Sequence, residues 1–268
     1  MNQCFIGGVA PHVKNSYLLI RFVHREHLES CKAGDFLIGS IARNKGFDDR
    51  RGDRGEATIS ISLNSPDGWH FEGAKCKKYT GVASDVKFTG MKGTGKFTLA
   101  NQSLLAGNPL SLSFALISHT ADKNQIQTEV QEVRKSLGIK DAVCVMVRDV
   151  DKLIEELTQM LRSGGYTSSK RLMPISSLIN YTNREIQTKS QVEFEERVDE
   201  LFYSGTLHTG YLFTKPDIYQ ADREFRVIWI GHSGKTSKNY QGPLLTDINQ
   251  NDHVILRSIN FDKHFIEI

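Results

Sequence analysis

The stretch that most constrains the fold is YQADREFRVIW, which occupies residues 219–229. It ends with apolar residues at every second position, namely Phe225, Val227 and Trp229. A period of two predicts a β-strand with one buried face. Asp222 and Glu224 share that period on the other face, where two carboxylates repel each other. The pattern therefore predicts either a solvated strand start, paired with Arg223 or Arg226, or a site that uses both acids.

Short strands outnumber helices along the rest of the chain. Strands are predicted over residues 17–22, 35–41, 57–63, 110–118, 142–148, 212–214, 225–230 and 253–259. Helices are predicted over residues 24–32, 125–137, 151–162 and 191–203, the third being the most clearly amphipathic. Residues 68–79 are predicted to form a further hairpin, and the glycine-rich residues 90–108 a loop or weak hairpin. This order predicts an α+β fold with a largely antiparallel sheet.

Length and composition are those of a soluble globular protein. The chain has 268 residues, of which 39% are hydrophobic and 24% charged. We expect one domain over residues 1–268, with a core over about 17–230 and a C-terminal strand extension over 231–268. The formal net charge of +3 excludes a large basic surface for tight duplex binding but leaves room for transient contact with nucleic acid.

The cysteines and the termini favour a cytoplasmic protein. The four cysteines are widely spaced and form no C-x-x-C pair, at Cys4, Cys31, Cys76 and Cys144. This spacing predicts reduced thiols rather than a disulfide framework or a zinc site. The sequence has no signal-peptide pattern and no apolar run of membrane-spanning length, so no membrane partner is expected.

Basic residues supply the other candidates for chemistry. Arg21 lies inside the apolar stretch YLLIRF, and arginine is rarely buried without a partner. It either lies on a wet face or presents a rigid set of donors to a pyrophosphate or carboxylate. The segment DDRRGDRGE, residues 48–56, is either an exposed turn or a phosphate-binding loop built on Arg50, Arg51 and Arg54.

The order of these segments resembles a bacterial group of proteins, the domain of unknown function 2971 and its relatives. The resemblance covers residues 17–229 and includes GDFLIGS, LSFALISHT, AVCVMVRDVDKLIEEL and LFTKPDIYQADREFR. The recurring ending of the group is an aromatic, a lysine, an aromatic and then acid-x-acid-aromatic-arginine. The matching positions are Phe213, Lys215, Tyr219, Asp222, Glu224, Phe225 and Arg226.

This group is similar in layout to the ADP-ribosyltransferases, which hold NAD in the cleft of a split antiparallel sheet. The resemblance implies that Arg21 holds the NAD phosphates and that Ser40 fixes the nicotinamide ribose. It implies that Glu224 stabilises the ribosyl oxocarbenium ion and that Asp222 orients or deprotonates the acceptor. Here Ser40 stands in Gly-Ser-Ile rather than in a serine-threonine-serine run, and an aspartate replaces the usual first glutamate or glutamine.

The same resemblance assigns the remaining site residues. Further contacts to NAD are assigned to Tyr17 and His24. Contacts to the acceptor are assigned to Arg50, Arg51, Arg54, Lys215 and Tyr219. The implied protein is a toxin or phage-defence effector that modifies RNA, DNA or protein and is neutralised by an antitoxin or chaperone partner.

Two other hypotheses remain open from the sequence. One is a metal-dependent nuclease that uses Asp222, Glu224 and a further acid, either Asp53 or Glu56. The other is a non-catalytic binding module in which Arg21 and Glu224 form a structural ion pair. A chelator would inactivate the nuclease, whereas loss of Glu224 would affect only the stability of the binding module.

Overall fold

A computed structural model describes residues 5–6, 8–41, 59–71, 91–101, 109–120, 122–164, 172–183, 185–203, 211–231 and 253–268. The α-helices are α1 Pro11–Ser16, α2 Arg25–Lys32, α3 Lys123–Ser136, α4 Val150–Ser163, α5 Gln191–Tyr203 and α6 Phe261–His264. Two 3-10 helices cover Tyr211–Phe213 and Asp217–Asp222. Among the described residues, none of the helices has the length and apolar character needed to cross a bilayer.

The strands belong to one large and two small sheets. They are β1 Phe5–Ile6, β2 Tyr17–His24, β3 Phe36–Ser40, β4 Ile59–Phe71, β5 Met91–Asn101, β6 Leu110–Ser118, β7 Ala142–Val147, β8 Leu172–Leu178, β9 Asn180–Tyr181, β10 Glu185–Thr188, β11 Thr214–Lys215, β12 Glu224–Gly231, β13 His253–Leu256 and β14 Phe265–Glu267. The large sheet runs in the order β1-β8-β12-β6-β2-β7-β14, and β13 and β3 join it beside β6. All its pairings are antiparallel, so the predicted α+β fold with a largely antiparallel sheet is confirmed.

The large sheet divides at β6. One edge of β6 pairs with β12 from Leu110 to Ala115. The opposite edge pairs first with β3, at Leu110 and Ser111, and then with β2, from Ala115 to Ser118. Because both strands share one edge, β2 leaves β6 after Ile20 and continues along β7 alone. We call the opening between the two strands the β2–β3 fork.

The two faces of this sheet are covered by different helices. Helix α4 begins after the Asp149 cap, which accepts a hydrogen bond from the Lys152 backbone N–H. Its apolar stripe is fully buried in the main core, and Trp229 donates from Nε1 to Thr158 Oγ1 of the helix at 2.8 Å. On the other face, Val130 and Val133 of α3 pack in a smaller cluster with apolar residues of β2, β6 and β7.

A second sheet packs around an aromatic cluster of its own. It has the order β10-β4-β5, with β10 parallel and β5 antiparallel to β4. Rings of Trp69, Phe71 and Phe97 contact one another across β4 and β5, and Phe194 of α5 packs against Phe71 and Phe97. Strand β4 of this sheet contains residues 59–63 of the strand that the alternation predicted over 57–63.

Several predicted elements differ in the structure. Residues 91–101, predicted to be a loop or weak hairpin, form the strand β5. The strand predicted over 212–214 is replaced by a 3-10 helix followed by β11. Strand β8 was not predicted, and its Pro174 explains why, since proline argues against a strand. The C-terminal segment is part of the large sheet, where β13 pairs with β3 and β14 pairs with β7.

Candidate active site

A cavity of about 290 Å³ opens at the β2–β3 fork. Its apolar walls come from β2, β3, β6 and the residues that follow α3. Its charged lining comes from segments far apart in the sequence, namely Arg21, Lys215, Asp222, Glu224 and Arg226. The fork therefore brings the basic and acidic candidates of the sequence to one concave site, which is where small-molecule ligands most often bind.

The period of two predicted that Asp222 and Glu224 belong to one strand. This prediction is wrong. Asp222 ends the 3-10 helix, and β12 begins at Glu224. Arg223 between them has φ 47° and ψ 50°, the left-handed conformation. The expected solvated strand start is also wrong, because Asp222 is 5% exposed and Glu224 is 6% exposed.

Glu224 is the centre of a buried ion network. Its Oε1 accepts hydrogen bonds from Ser113 Oγ at 2.6 Å and from Arg226 Nε at 2.8 Å. Arg226 Nη2 lies 2.7 Å from the same oxygen, and Lys215 Nζ lies 2.6 Å from Oε2. Burial alone would raise the pKa of Glu224, but the charges of Arg226 and Lys215 lower it to about 2. Glu224 is therefore ionised throughout the neutral range.

Asp222 is in the opposite electrostatic situation. Ser136 Oγ, in the last turn of α3, donates to its Oδ1 at 2.9 Å, and Lys215 Nζ lies 3.7 Å from its Oδ2. Burial raises the pKa of Asp222 above its usual range, with Glu224 adding to the rise and Lys215 opposing it. Two neighbouring carboxylates whose pKa values are pushed apart are suited to different chemical roles.

Arg21 occupies the fork itself. Its guanidinium lies over the Phe36 ring, 5.0 Å from the ring centroid, and Nη2 donates to the Leu37 carbonyl at 3.4 Å. Its Nη1 is buried and has no hydrogen-bond partner among the described residues. Burial lowers the pKa of Arg21 to about 10. Arg21 forms no ion pair with Glu224, so the pair expected for a binding module is replaced by the pairs of Glu224 with Lys215 and Arg226.

The other predicted ligand-binding residues are more scattered. Ser40 is fully buried and pairs with Leu110, whereas Gly39 beside it lines the cavity. Tyr17 and His24 are the first and last residues of β2, and neither lines the cavity. Tyr219 reaches the site indirectly, since Lys215 Nζ lies 5.4 Å from its ring centroid. Arg50, Arg51 and Arg54 lie outside the described residues.

Three side chains that hold the acidic pair were not predicted. Ser113 donates to Glu224, Ser136 donates to Asp222, and the Tyr181 hydroxyl accepts from the Glu224 backbone N–H at 2.8 Å. The pairing of Arg226 with an acid was among the predictions, although on a solvated strand start rather than in a buried site. A signal for Ser113 exists at the start of LSLSFALIS. There Ser111 and Ser113 alternate with apolar residues, so both serines lie on the same face of the strand. Ser136 and Tyr181 carry no such signal, because only the packing of α3 and β9 brings them here.

The nuclease hypothesis requires acidic residues grouped around a metal ion. Within the described ranges, no three His, Cys, Asp or Glu residues are grouped so that they could hold a metal ion. The ammonium of Lys215 stands between Asp222 and Glu224, where a bridging cation would bind. Asp53 and Glu56, the further acids of the nuclease hypothesis, lie outside the described residues.

No protein-family model, curated protein or solved structure matches this chain.

Proposed function

We propose that this protein is an NAD-dependent ADP-ribosyltransferase whose reaction takes place in the cavity at the β2–β3 fork. One observation carries the proposal. Arg21 and the acidic pair Asp222 and Glu224, which are about 200 residues apart in sequence, line the same cavity in a divided antiparallel sheet. That layout is what the resemblance to the ADP-ribosyltransferases leads us to expect.

Glu224 stabilises the reacting ribose. In the proposed reaction, the bond between ribose C1′ and nicotinamide N1 breaks, and its electron pair leaves with the nicotinamide. Positive charge develops on the ribose, and the ionised Glu224 places negative charge beside it. Among the described residues, Oε2 accepts only from Lys215, which leaves it a lone pair for a ribose hydroxyl.

Asp222 acts on the acceptor. A bond forms between the acceptor atom and C1′, and Asp222 takes the proton that the acceptor loses. A general base works best when its pKa lies close to the working pH, so the raised pKa of Asp222 supports this role. The low pKa of Glu224 supports the complementary role of a permanent charge.

Arg21 holds the phosphates of NAD. It is already rigid, because its guanidinium lies on Phe36 and bonds to the Leu37 carbonyl, and its buried Nη1 still has a proton to donate. The cavity volume of about 290 Å³ is at the small end of ligand pockets. It suits the nicotinamide ribose and the adjoining phosphate rather than a whole dinucleotide.

The biological setting of the proposed activity is supported by the resemblance alone. We propose a toxin or phage-defence effector that acts in the cytoplasm on a nucleic acid or protein acceptor and has a neutralising antitoxin or chaperone partner. The arginine-rich segment with Arg50, Arg51 and Arg54 favours a nucleic-acid acceptor, since arginines bind phosphate backbones.

A second candidate is a binding module for an anionic ligand without turnover. It is favoured by the contacts of Glu224, whose charge is balanced by both Arg226 and Lys215. In such a module the role of Glu224 is to hold two cations in place. Glu224→Gln would then change stability and ligand affinity, and NAD would be recovered intact.

Incubation with doubly labelled NAD separates these candidates. NAD carrying one label on nicotinamide and another on adenylate is incubated with cell extract, and the RNA, DNA and protein fractions are counted. We expect the wild type to release nicotinamide and label one fraction, and Glu224→Gln to lose both activities by roughly 100-fold or more. The matched control is Glu155→Gln, an exposed acid of α4, with thermal unfolding of each variant measured in parallel. Intact NAD with the wild type, or undiminished transfer by a folded Glu224→Gln, would overturn the proposal.

A further inference from the structure

Arg223 adopts a backbone conformation that is costly for its residue type. Its φ of 47° and ψ of 50° lie in the left-handed region. The left-handed region is sterically unfavourable for a residue with a Cβ, whereas glycine adopts the same conformation freely. A turn that served only to reverse the chain would be better served by glycine, so the arginine side chain needs its own explanation.

The side chain of Arg223 is held by two carboxylates of α3. Its Nη1 lies 3.0 Å from Glu129 Oε2, and its Nη2 lies 3.2 Å from Glu132 Oε2. Glu129 is fixed in turn, because it accepts from the Ser118 backbone N–H and from Gln125 Nε2, both at 3.1 Å. The guanidinium is thus docked on a helix that is anchored to the sheet.

The same helix also holds Asp222. Ser136 lies two turns further along α3 and donates to Asp222 Oδ1. The backbone of the turn is tied to the sheet on its other side, where the Arg223 carbonyl accepts from the Leu116 N–H at 2.9 Å. Helix α3 therefore holds the side chains of Asp222 and Arg223, and the turn at Arg223 leads directly into Glu224.

We infer that Arg223 is a positioning residue, whose ion pairs with Glu129 and Glu132 hold the left-handed turn that brings the Asp222 and Glu224 side chains into one cavity. The inference rests on the proposed function for its catalytic consequence, but its structural content can be tested without turnover. The side chain of Arg223 is 42% exposed, so its ion pairs stabilise the fold only weakly. Loss of the Arg223 side chain should therefore leave the protein folded. We expect it to displace the carboxylates, because the turn that positions them is no longer held.

Two variants test the inference. Arg223→Gly keeps the left-handed turn accessible and removes the docked side chain. The double variant Glu129→Gln with Glu132→Gln leaves Arg223 in place and removes its ionic partners. The control is Arg25→Ala, which breaks an exposed arginine–aspartate pair with Asp141 away from the cavity.

The first readout is the pKa of Asp222, followed by carbon-detected NMR of the side-chain carboxyls. Burial is the main cause of its raised value, so a displacement toward solvent should lower it. We expect the pKa of Asp222 to fall toward its usual range in both test variants. In Arg25→Ala it should be unchanged from the wild type. An unchanged pKa in the test variants would overturn the inference, whatever their activity.

The second readout is the rate of nicotinamide release. A displacement of about 1 Å at a reacting group can cost about 100-fold in rate, so we expect kcat to fall by 10- to 100-fold. The KM for NAD should stay within about twofold, because Arg21 is untouched. A wild-type kcat in Arg223→Gly would overturn the inference. If the wild type releases no nicotinamide but the pKa of Asp222 shifts as expected, the positioning role stands and the proposed function fails.

Discussion

Arg226 and Glu224 face the same side of β12, and Arg226 directs both Nε and Nη2 at one carboxylate oxygen, at 2.8 Å and 2.7 Å. Arg226 is 1% exposed, and its Nη1 donates to the Leu212 carbonyl at 2.8 Å. A charge removed so completely from water is costly unless it is paired. Glu224 and Arg226 therefore form one buried unit.

Replacement of Arg226 should be severely destabilising. Arg226→Met leaves Glu224 buried beside Lys215 and Ser113 but without the guanidinium that contacts its Oε1. Removing one partner of a buried ion pair typically costs about 3–5 kcal/mol in the free energy of unfolding. Urea denaturation measures this, with Lys152→Ala, which breaks an exposed pair with Asp149, as the comparison that should lose under about 1 kcal/mol. Equal losses in the two variants would show that the buried pair is not special.

Glu224 should make the fold sensitive to acid. Its pKa in the folded state, about 2, is below the usual 4.5, so its stabilising contribution is fully present above pH 4.5. That contribution is lost as pH falls from about 4.5 toward 2, and its size is on the order of 3 kcal/mol. The measurement is the difference in unfolding free energy between wild type and Glu224→Gln at several pH values. A difference that stays constant down to pH 2 would contradict the assignment of the low pKa.

Asp222→Asn should gain stability while it loses activity. Because burial raises the pKa of Asp222, ionisation of this group opposes folding as pH rises above the ordinary value of 3.8. An asparagine can still accept from Ser136 Oγ and carries no buried charge. We expect a higher melting temperature at pH 7 than that of the wild type, no gain at pH 3, and a loss of transfer rate of roughly 100-fold or more. A variant destabilised equally at both pH values would contradict this account.

Arg21→Met should separate binding from stability. The substitution removes a half-buried cation whose Nη1 has no hydrogen-bond partner in the described part of the chain, so the melting temperature should not fall. If the guanidinium binds phosphate, the affinity for NAD should weaken by roughly 10- to 100-fold, which titration calorimetry measures. Arg25→Ala serves as the matched arginine control and should bind NAD normally. Unchanged affinity in Arg21→Met would remove Arg21 from the proposed site.

Elements with a strong local pattern were predictable from the sequence. The apolar run LSLSFALIS predicted β6 with its observed bounds, Leu110–Ser118. The amphipathic pattern over residues 151–162 predicted α4, whose apolar stripe of Leu153, Ile154, Leu157 and Leu161 is buried. In α4 the burial of each side chain follows from its position in the helical period, and in β6 the apolar run is buried on both faces, so no distant contact was needed to recognise either element.

Strand β5 could not be predicted because its glycines are required by contacts with β4, which is distant in sequence. A Cβ on Gly93 would lie 2.6 Å from Trp69 Cζ2, so the indole ring of β4 requires a glycine opposite it. Gly95 has φ +82° beside the register shift between Ser65 and Trp69. Read locally, these glycines weaken a strand, and only the pairing with β4 explains them.

The candidate site was predictable in its residues and not in its geometry. The stretch YQADREFR drew attention to Asp222 and Glu224, and the arginine inside YLLIRF drew attention to Arg21. The structure places all three at one cavity. The left-handed Arg223 between the two acids could not be foreseen, since this conformation is rare outside glycine. The burial of the acids depends on Lys215 and on serines from two other segments, which a period of two cannot reveal.

The most direct test of the central claim is a crystal structure with a hydrolysis-resistant NAD analogue. The account predicts density in the cavity at the β2–β3 fork, with the nicotinamide ribose against Glu224 Oε2 and a phosphate oxygen bonded to Arg21 Nη1. An analogue bound elsewhere on the protein, with this cavity empty of it, would contradict the account.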